Sequence, residues 1–512
     1  MATVEINPIT RIEGDGRLIL DVYTDANGKL RVTNLLQETD DGTFTTIDDA
    51  TRYPKYCVSE FRGFEKFVEG EQPETVTKLV PRICGVCPVP HSMASAMAIE
   101  DAYGFAIPSN AKAIRRFILA LHTIHSHLLH LFLLGGRDYL NHDVIAIELP
   151  NIINAHNKVQ TCVAMLGGRP VHSASIMPGG QTKVPSLDEL TTIKNYIQSV
   201  HDYVFVTLYP TIKDALLALP NDFGIRPANY MSSGIPFYTG LSTSYTYDGS
   251  SGGVILNGAY DPATFDINTA NIVPFDQANI AEHEITPYGS TVDFLGYYSY
   301  SKRPYYVYNG VNWICEVGPL ARLAVAYRAG DITVRTYVDN YAADFGLTAN
   351  DILAPTTRNR YIARLIETDI LLDKVLGEWA DAIDPTADAY IPPTPADGSG
   401  IGVIEAPQGT LIHTIDIVAG VTSAYNCIVP TTINSGAIEE AMVDNLVEIR
   451  PETEALLTTD EASALAAGDN ALKYLLGDAC RTVRGFDPCC SCSSHLIILN
   501  GGINSIKVVK FL

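Results

Sequence analysis

The chain has 512 residues, of which 46% are hydrophobic and 18% are charged. A chain of this length and composition can bury a large core, which excludes a mostly disordered protein and favours one large unit or two closely packed domains. The formal net charge of −23 argues against nucleic acid or an anionic membrane surface as a partner, because both require clustered Lys and Arg.

The N-terminal sequence and the apolar segments bear on the location of the chain. The first residues, MATVEINPITRIEG, contain no basic region followed by an apolar stretch, so they predict no secretory signal. No segment has the about 18 uninterrupted apolar residues that a helix needs to cross a bilayer. We therefore expect a soluble chain without a membrane span of its own.

The first elements follow from periodicity. Residues 1–40 form the N-terminal β region, where GRLILDVY and LRVTNLLQ flank a turn at residues 25–28 and predict a β-hairpin. After residue 90, the segment HSMASAMAIEDAYG predicts a helix, and residues 110–134 continue with an apolar helical pattern. Ser186 and Glu189 form a capping-box pattern that predicts the start of a second long helix, which ends near Leu219.

The second half of the chain has a different composition. Residues 225–310 are rich in Tyr, Gly, Ser, Thr and Asn, and they contain repeated turn dipeptides, which is typical of an irregular, partly β insertion. Helical patterns return at 316–390, stop at the Pro-rich stretch 391–400, and alternate with loops after residue 430. The predicted fold class is therefore mainly α with small β regions, α+β.

Two cysteine motifs lie near the two ends of the chain. RICGVCPVPH contains Cys84, Cys87 and His91, and DPCCSCSSH contains Cys489, Cys492 and His495. Random placement of the cysteines would give about 0.2 CxxC pairs in the whole chain, so two pairs that are each followed by His indicate a function.

The CxxC spacing allows two thiolates to bind the same ion, and four thiolates form a soft site for zinc, iron or another thiophilic metal. A structural four-cysteine zinc site is one interpretation. Structural zinc motifs, however, usually bring together pairs that are a few tens of residues apart. A site that joins the two ends of a large fold favours a reaction centre.

These motifs resemble the N- and C-terminal signatures of nickel–iron ([NiFe]) hydrogenase large subunits. Further segments match the family in the same order along the chain: ITRIEG at 9–14, FRGFE at 61–65, GGRPVH and PGG between 167 and 180, EVGPLAR at 316–322, EAPQGTLIH at 405–413 and VPTTIN at 429–434. The resemblance covers nearly the whole chain. It implies a hydrogenase large subunit in residues 1–495 with a helical core, followed by a C-terminal peptide, 496–512, of the kind that a maturation protease commonly removes in this family. The strand-like pattern of IKVVKF leaves an ordinary C-terminal strand as the alternative.

The resemblance implies a nickel–iron centre held by thiolates. Cys84 and Cys489 would be terminal ligands of nickel, Cys87 and Cys492 would bridge nickel and iron, and the iron would carry carbon monoxide and cyanide. Heterolytic cleavage of hydrogen separates a hydride from a proton, so it needs a Lewis acid and a base. Cys489 would accept the proton, and Glu13 in RIEG would pass it on, because a buried carboxylic acid can have a raised pKa.

A second metal and the surroundings of the cluster are also implied by the resemblance. Glu65 and His495 would bind a magnesium ion, a role that suits a carboxylate oxygen better than an imidazole nitrogen. Other residues would direct hydrogen bonding around the cluster. These are Pro407, Asp487 and Asp138, with Thr431 or Thr432 as the donor to a cyanide.

One residue departs from the family pattern at a catalytic position. Gln408 stands in EAPQG where the family usually has Arg above the open metal position. A Gln side chain keeps hydrogen-bond donors but has no positive charge. We therefore expect altered polarisation of the substrate at this position.

The remaining His and Cys residues receive a structural interpretation. The histidines of the apolar helix are expected to be buried core or interface groups rather than ligands; they are His122, His125, His127 and His130. The cysteines outside the CxxC pairs are expected to be small buried residues; they are Cys57, Cys162, Cys315, Cys427, Cys480 and Cys490.

The sequence also predicts partners. Beyond the four motif cysteines, no set has the spacing of an iron–sulfur site, so electrons would leave through a small subunit with iron–sulfur clusters, followed by further electron-transfer subunits. The motifs RGFEKF and RICGVCPVPH favour the soluble cytoplasmic branches of the family. Two alternatives are a structural four-cysteine zinc protein and a metal-free relative in a respiratory complex, and the retention of all four cysteines opposes the second.

Overall fold

A computed structural model describes residues 3–10, 15–32, 36–38, 44–46, 55–58, 63–234, 252–284, 302–489, 493–499 and 506–508. The helices, in chain order, are α1 (Phe64–Phe67), α2 (Pro73–Leu79), α3 (Pro88–Ala102), α4 (Ser109–Leu128), α5 (His142–Gly167), α6 (Leu187–His201), α7 (Tyr209–Ala218), α8 (Pro319–Ala329), α9 (Ile332–Phe345), α10 (Ala349–Leu353), α11 (Thr357–Lys374), α12 (Pro430–Met442), α13 (Thr459–Ala466), α14 (Asn470–Leu475) and α15 (Asp478–Phe486). Together with the small sheets, they confirm the predicted α+β class.

The strands are short by comparison. They are β1 (Thr3–Thr10), β2 (Asp15–Thr24), β3 (Leu30–Val32), β4 (Leu36–Glu38), β5 (Phe44–Thr46), β6 (Lys55–Val58), β7 (Ile176–Met177), β8 (Gly180–Gln181), β9 (Asn229–Ser232), β10 (Gly253–Leu256), β11 (Ile272–Pro274), β12 (Ile280–Glu284), β13 (Lys302–Tyr308), β14 (Val311–Trp313), β15 (Gly398–Ala406), β16 (Gly409–Val418), β17 (Val421–Ile428), β18 (Ser493–Leu499) and β19 (Ile506–Val508). The predicted β content of the 225–310 insertion is confirmed by β9 to β13.

Helix α4 lies at the centre of the main hydrophobic core. Its apolar residues recur at three- and four-residue intervals, and they are buried against neighbours that include α5 and α11. In the described part of the chain, the helical segment Ser109–Leu134 is long and apolar enough to cross a membrane, yet 78% of its most apolar window is buried inside the protein. Burial of this kind is typical of a core helix.

The predicted helix after Ser186 is confirmed, together with its cap. The Ser186 hydroxyl accepts a hydrogen bond from the Glu189 amide, and the Glu189 carboxylate accepts one from the Ser186 amide. After α6, a π-helical segment, Asp202–Leu208, leads into α7. The expected end near Leu219 agrees with the last helical residue, Ala218.

The N-terminal sheet contains both ends of the described chain. Its strand order is β19-β1-β18-β2-β3, and β6 also pairs with β2. The predicted hairpin is confirmed in β2 and β3, where the Gly28 amide donates to the Asp25 carbonyl at 2.9 Å. Strand β18 lies between β1 and β2, antiparallel to the first and parallel to the second.

A three-stranded sheet, β15-β16-β17, packs against α3. Close approach requires glycine here, because a Cβ at Gly402 would lie 2.0 Å from the Ala94 carbonyl oxygen. Strands β15 and β16 form a hairpin in which Ala406 pairs with Gly409. Pro407 and Gln408 are therefore the two loop residues of this hairpin.

Candidate metal centre

Three of the four motif cysteines converge although they come from opposite ends of the sequence. Cys84 follows a short 3-10 turn, Cys87 is the N-cap residue of α3, and Cys489 follows α15. The Sγ atom of Cys489 lies 3.0 Å from that of Cys84 and 3.5 Å from that of Cys87. Cys492 lies outside the described residues.

Hydrogen bonds around the sulfur atoms favour a thiolate at Cys84. Its Sγ accepts hydrogen bonds from the backbone amides of Val86, at 3.3 Å, and Cys87, at 3.1 Å. Side-chain hydrogen bonds from Cys489 and Cys87 hold the pKa of the Cys84 thiol well below its usual range, despite burial. The corresponding hydrogen bonds, together with burial, raise the pKa of Cys87 well above its usual range.

The donor set fits a thiophilic metal. The three sulfur atoms all lie within 4.8 Å of one another, and Cys84 and Cys87 are buried. Thiolates that converge in a buried site repel each other unless a cation neutralises them. Soft sulfur ligands suit nickel, iron and zinc, so the identity of the metal depends on the rest of the site.

Thr431 contacts the cluster through the backbone. Its hydroxyl oxygen accepts a hydrogen bond from the Cys489 amide at 2.8 Å. The hydroxyl hydrogen of Thr431 therefore remains available for a second partner. Thr432, the alternative in the sequence analysis, donates its hydroxyl hydrogen to the Val429 carbonyl at 2.8 Å.

The hairpin loop at Pro407 and Gln408 is held beside the end of α15. The buried Gln408 side chain donates from Nε2 to the Asp487 carboxylate at 3.1 Å and to Ser126 Oγ at 3.4 Å. Arg322 donates to the carbonyl of Pro407 at 3.0 Å. The guanidinium of Arg322 also binds Glu405 and Glu367, so a buried ion-pair network anchors the loop.

Asp138 acts on α15 rather than on the sulfur atoms. Its carboxylate accepts hydrogen bonds from Arg484, in α15, and from the Tyr361 hydroxyl at 2.6 Å. Burial alone would raise the pKa of Asp138, but the charge of Arg484 outweighs it and the net pKa is lowered. Asp138 is therefore ionised, and it fixes the helix that leads into Asp487 and Cys489.

Arg364 is a residue of the site that sequence reasoning missed. Its buried guanidinium lies 3.7 Å from the Asp487 carboxylate and donates to His130 Nδ1 at 2.7 Å. A positive charge thus stands beside Asp487 although residue 408 is a neutral Gln. The available signal was the helical spacing of Arg360, Arg364 and Glu367, which places the three charged residues on one face of α11, where all are buried.

Of the four helix histidines, His122, His127 and His130 are buried, as expected, whereas His125 is half-buried. His127 binds Glu367 at 2.7 Å, and His130 binds the Arg484 carbonyl at 2.6 Å, so both are partnered core groups. In the described part of the chain, His122 Nε2 and both ring nitrogens of His125 have no hydrogen-bond partner. Burial lowers the pKa of His122 to about 4, although the charge of Cys84 acts in the opposite direction.

The other predicted residues are placed less fully. Glu65, in α1, accepts a hydrogen bond at Oε1 from the Cys427 amide at 3.3 Å. The backbone of His495 pairs with Arg17 in the N-terminal sheet, and its side chain lies outside the described residues, as does Glu13. Among the remaining cysteines that are described, Cys162, Cys315 and Cys480 are buried free thiols, as expected, and Cys427 is partly buried.

Comparison with known proteins identifies a family of metal-dependent enzymes that this chain matches. A family model described as nickel-dependent hydrogenase matches residues 62–151 and 149–495. The vhc-type F420-non-reducing hydrogenase polypeptide of Methanococcus voltae is 26% identical over 539 residues, and the match covers 100% of this chain and 98% of that protein. The Hydrogenase-2 large chain of Escherichia coli K12 is 25% identical over 615 residues, with 99% of both chains covered.

A solved structure shares the fold. The Ni-Fe-Se hydrogenase from D. vulgaris Hildenborough in the reduced state superposes with a TM-score of 0.71 at 24% identity, over 96% of this chain and 99% of that one. The family model covers most of the chain, including both cysteine motifs. The chain therefore belongs to the nickel-dependent hydrogenase family, as a large subunit of the nickel–iron type.

Proposed function

We propose that Cys84, Cys87, Cys489 and Cys492 hold the nickel–iron centre at which this hydrogenase large subunit cleaves or forms molecular hydrogen. The observation that carries the proposal is the convergence of three of these sulfur atoms in a buried site. By the family resemblance, Cys84 and Cys489 would hold nickel, and Cys87 and Cys492 would be shared between nickel and iron.

When bound there, the centre supplies the Lewis acid and the electron acceptor that heterolytic cleavage requires. The chain supplies the base. Cys489 has sulfur neighbours at 3.0 and 3.5 Å, and its backbone is tied to Thr431. We assign its thiolate as the first proton acceptor and Glu13 as the next group in the relay.

The surroundings of the open metal position follow from the same assignment. The Thr431 hydroxyl oxygen accepts a hydrogen bond from the Cys489 amide, so its hydrogen remains available for another partner. We therefore assign Thr431 as the donor to a cyanide on iron. By the family resemblance, we assign Pro407 and Gln408, the two loop residues of the β15–β16 hairpin, to the surroundings of this position. The Asp487 carboxylate accepts a hydrogen bond from Gln408 and lies 3.7 Å from the guanidinium of Arg364. Arg364 therefore provides the positive charge that Gln408 lacks.

We also propose a magnesium ion bound by Glu65 and His495. The carboxylate of Glu65 lies next to the backbone of β17, at Cys427, and His495 lies in β18 of the N-terminal sheet. A carboxylate oxygen is a ligand that magnesium prefers. The ion would tie the C-terminal motif to α1.

Large subunits of this family work with a small subunit. We propose that the partner of this chain carries the iron–sulfur clusters and passes electrons to further subunits, and that the complex is cytoplasmic. The cysteine spacing supports a partner that carries the clusters. Beyond the four motif cysteines, the sequence has no set of cysteines with the spacing of an iron–sulfur site.

We propose that a maturation protease removes residues 496–512 after metal insertion. The resemblance to family precursors supports this step. Cleavage after His495 would remove β19 and the second half of β18, which pair with β1 and β2. The intact mass of nickel-loaded protein should lack this peptide, whereas protein produced without nickel should retain it; an uncleaved, active enzyme would contradict the proposal.

Metal analysis and infrared spectroscopy of anaerobically purified enzyme test the main proposal. We expect nickel and iron in equal amounts and absorption bands of metal-bound carbon monoxide and cyanide, where ordinary protein groups do not absorb. Cys489→Ala should abolish hydrogen-dependent dye reduction. Zinc without nickel, or an active Cys489→Ala variant, would overturn the proposal.

Glu13→Gln tests the proton relay. An amide cannot carry the proton onward, so exchange of hydrogen isotopes between gas and water should slow by about 100-fold or more, the range typical of general acid–base groups. Nickel and iron contents should stay unchanged. An unaltered exchange rate would remove Glu13 from the relay.

A further inference from the structure

The two ends of the Gln408 side-chain amide have different surroundings. The Nε2 atom donates to the Asp487 carboxylate at 3.1 Å and to Ser126 Oγ at 3.4 Å. The guanidinium of Arg364, 3.7 Å from Asp487, stabilises the ionised carboxylate, and an ionised carboxylate can only accept hydrogen bonds. The end of the amide that faces Asp487 is therefore the nitrogen.

The protein itself uses both hydrogens of this amide. A primary amide carries two hydrogens on its nitrogen and two lone pairs on its oxygen. Asp487 takes one hydrogen of Gln408 and Ser126 takes the other. The donors that the sequence leaves at this position are thus engaged, and the carbonyl oxygen Oε1 remains. It accepts no hydrogen bond from the described residues.

A second buried glutamine provides a comparison for this oxygen. Gln181 Nε2 also donates to two partners, the Leu166 carbonyl at 3.2 Å and the Ser175 hydroxyl. In the described part of the chain, Gln181 Oε1 is fully enclosed and has no hydrogen-bond partner, whereas Gln408 Oε1 lacks a partner without being enclosed. Gln408 Oε1 therefore borders space that a small molecule can enter.

The amide of Gln408 is tied to the same part of the chain as the cysteine cluster. Asp487, which holds its nitrogen, precedes Cys489 by two residues, and the Cys489 amide donates to the Thr431 hydroxyl at 2.8 Å. A cation at residue 408 would attract anions and donate hydrogen bonds. A neutral carbonyl oxygen does neither, because it can only accept from an N–H, O–H or S–H group.

We propose that Gln408 is a specificity-determining residue that presents a hydrogen-bond acceptor to a small molecule bound beside it, and so favours neutral ligands that carry a donatable hydrogen over ligands that carry none. Hydrogen sulfide belongs to the first class and carbon monoxide to the second. The proposal rests on the proposed function for the binding of this ligand at the metal, but the direction of the amide can be measured without any metal.

Nitrogen-15 NMR of the full-length chain, labelled at the glutamine side chains and produced without nickel, tests the direction of the amide. Signals of Gln408 are identified by their loss in Gln408→Met. In the unmodified chain we expect both side-chain amide hydrogens of Gln408 to resonate downfield, because both are hydrogen-bonded. Ser126→Ala should move one of them upfield and leave the other, which faces Asp487, in place.

Ser175→Ala is the matched control, because it removes the corresponding hydrogen bond of Gln181 and should shift a hydrogen of that residue instead. A Gln408 amide without a downfield hydrogen in the unmodified chain would overturn the proposal, whether or not Ser126→Ala folds. Gln408 signals that do not change when the Ser126 hydroxyl is removed would also overturn it.

Infrared spectra of the anaerobically purified, metal-loaded enzyme test the consequence. Affinities for hydrogen sulfide, in mildly acidic buffer, and for carbon monoxide are read from shifts of the bands of the intrinsic carbon monoxide and cyanide. Gln408→Met removes the acceptor and should weaken binding of hydrogen sulfide by about three- to tenfold, the worth of one net hydrogen bond. Binding of added carbon monoxide should stay unchanged.

An equal change for both ligands would mean that Gln408 acts through packing alone, and it would overturn the proposal. Failure of the proposed function has a different signature. The unmodified enzyme would then lack the intrinsic bands, while the NMR signals of Gln408 in the metal-free chain would still report the direction of its amide.

Discussion

At the scale of single residues, the charges beside the metal centre are held in pairs. Asp138 forms an ion pair with Arg484. Asp487 forms an ion pair with Arg364 and accepts a hydrogen bond from Gln408. Replacing the usual Arg by Gln at position 408 therefore does not leave Asp487 without a cation. The neutral Gln408 keeps the hydrogen bond that holds the hairpin loop against α15.

Arg364→Met should destabilise the protein strongly. Removal of one partner from a buried ion pair leaves the other charge uncompensated, which costs about 3–5 kcal/mol. Denaturant unfolding measures the loss, and hydrogen-dependent dye reduction should fall as well because Asp487 precedes Cys489. Lys194→Met breaks an ion pair whose partner, Asp381, is 72% exposed, so this control should change the unfolding free energy by less than about 1 kcal/mol.

A result in which both variants lose similar, small amounts of stability would show that Arg364 is not required to neutralise Asp487. Arg364→Lys separates the effect of the charge from that of the guanidinium shape. Lysine keeps the charge but loses the planar fork that contacts Asp487 and His130 together. It should recover part of the stability and little of the activity.

At the scale of elements, the site depends on the packing of α3 against β15. Gly400 and Gly402 lie on the face of β15 that meets the helix, and a Cβ at either position would lie 2.0 Å from a backbone carbonyl oxygen of α3. Cys87 caps the N-terminus of the same helix. Glycine in this strand therefore helps to set the position of a cysteine of the candidate metal centre.

Gly402→Ala should destabilise the fold by about 3 kcal/mol, the upper range for overpacking, because the contact is with backbone rather than with a flexible side chain. It should also lower the nickel content as α3 moves. Ser399→Ala, at an exposed position of the same strand, is the control and should preserve both properties. Normal nickel content in Gly402→Ala would mean that α3 can shift without disturbing the cysteines.

At the scale of the whole molecule, buried neutral histidines make stability depend on pH. Burial lowers the pKa of His91, His122 and His127 to about 4 from a usual value of 6.5. Between these values the unfolded chain binds protons that the native chain does not. Stability is therefore greatest above about pH 6.5 and falls as the pH decreases toward 4.

His122→Gln should lower by one the number of protons that the chain takes up on unfolding in this pH range. The slope of the unfolding free energy between pH 6 and 4.5 should decrease by about 1.4 kcal/mol per pH unit. Urea unfolding of the full chain at several pH values measures it. The same slope in both proteins would mean that His122 is protonated in the native state.

Much of the fold and of the family follows from the sequence alone. Apolar periodicity predicted α4, the capping box predicted the start of α6, and turn chemistry predicted the hairpin at Asp25. The two cysteine motifs, with segments in family order between them, predicted the hydrogenase. These signals are local, because propensity, caps and ligand spacing act between residues that are close in the chain.

The tertiary structure decided which distant residues act together. Arg364 and Gln408 reach Asp487, and Gln408 also reaches Ser126, through contacts between elements that are remote in the sequence. No local pattern encodes such contacts, since they depend on how α4, α11, α15 and the β15–β16 hairpin pack around one core. The sequence by itself therefore determined the ligand types and the family, and packing determined the charges and hydrogen bonds that surround them.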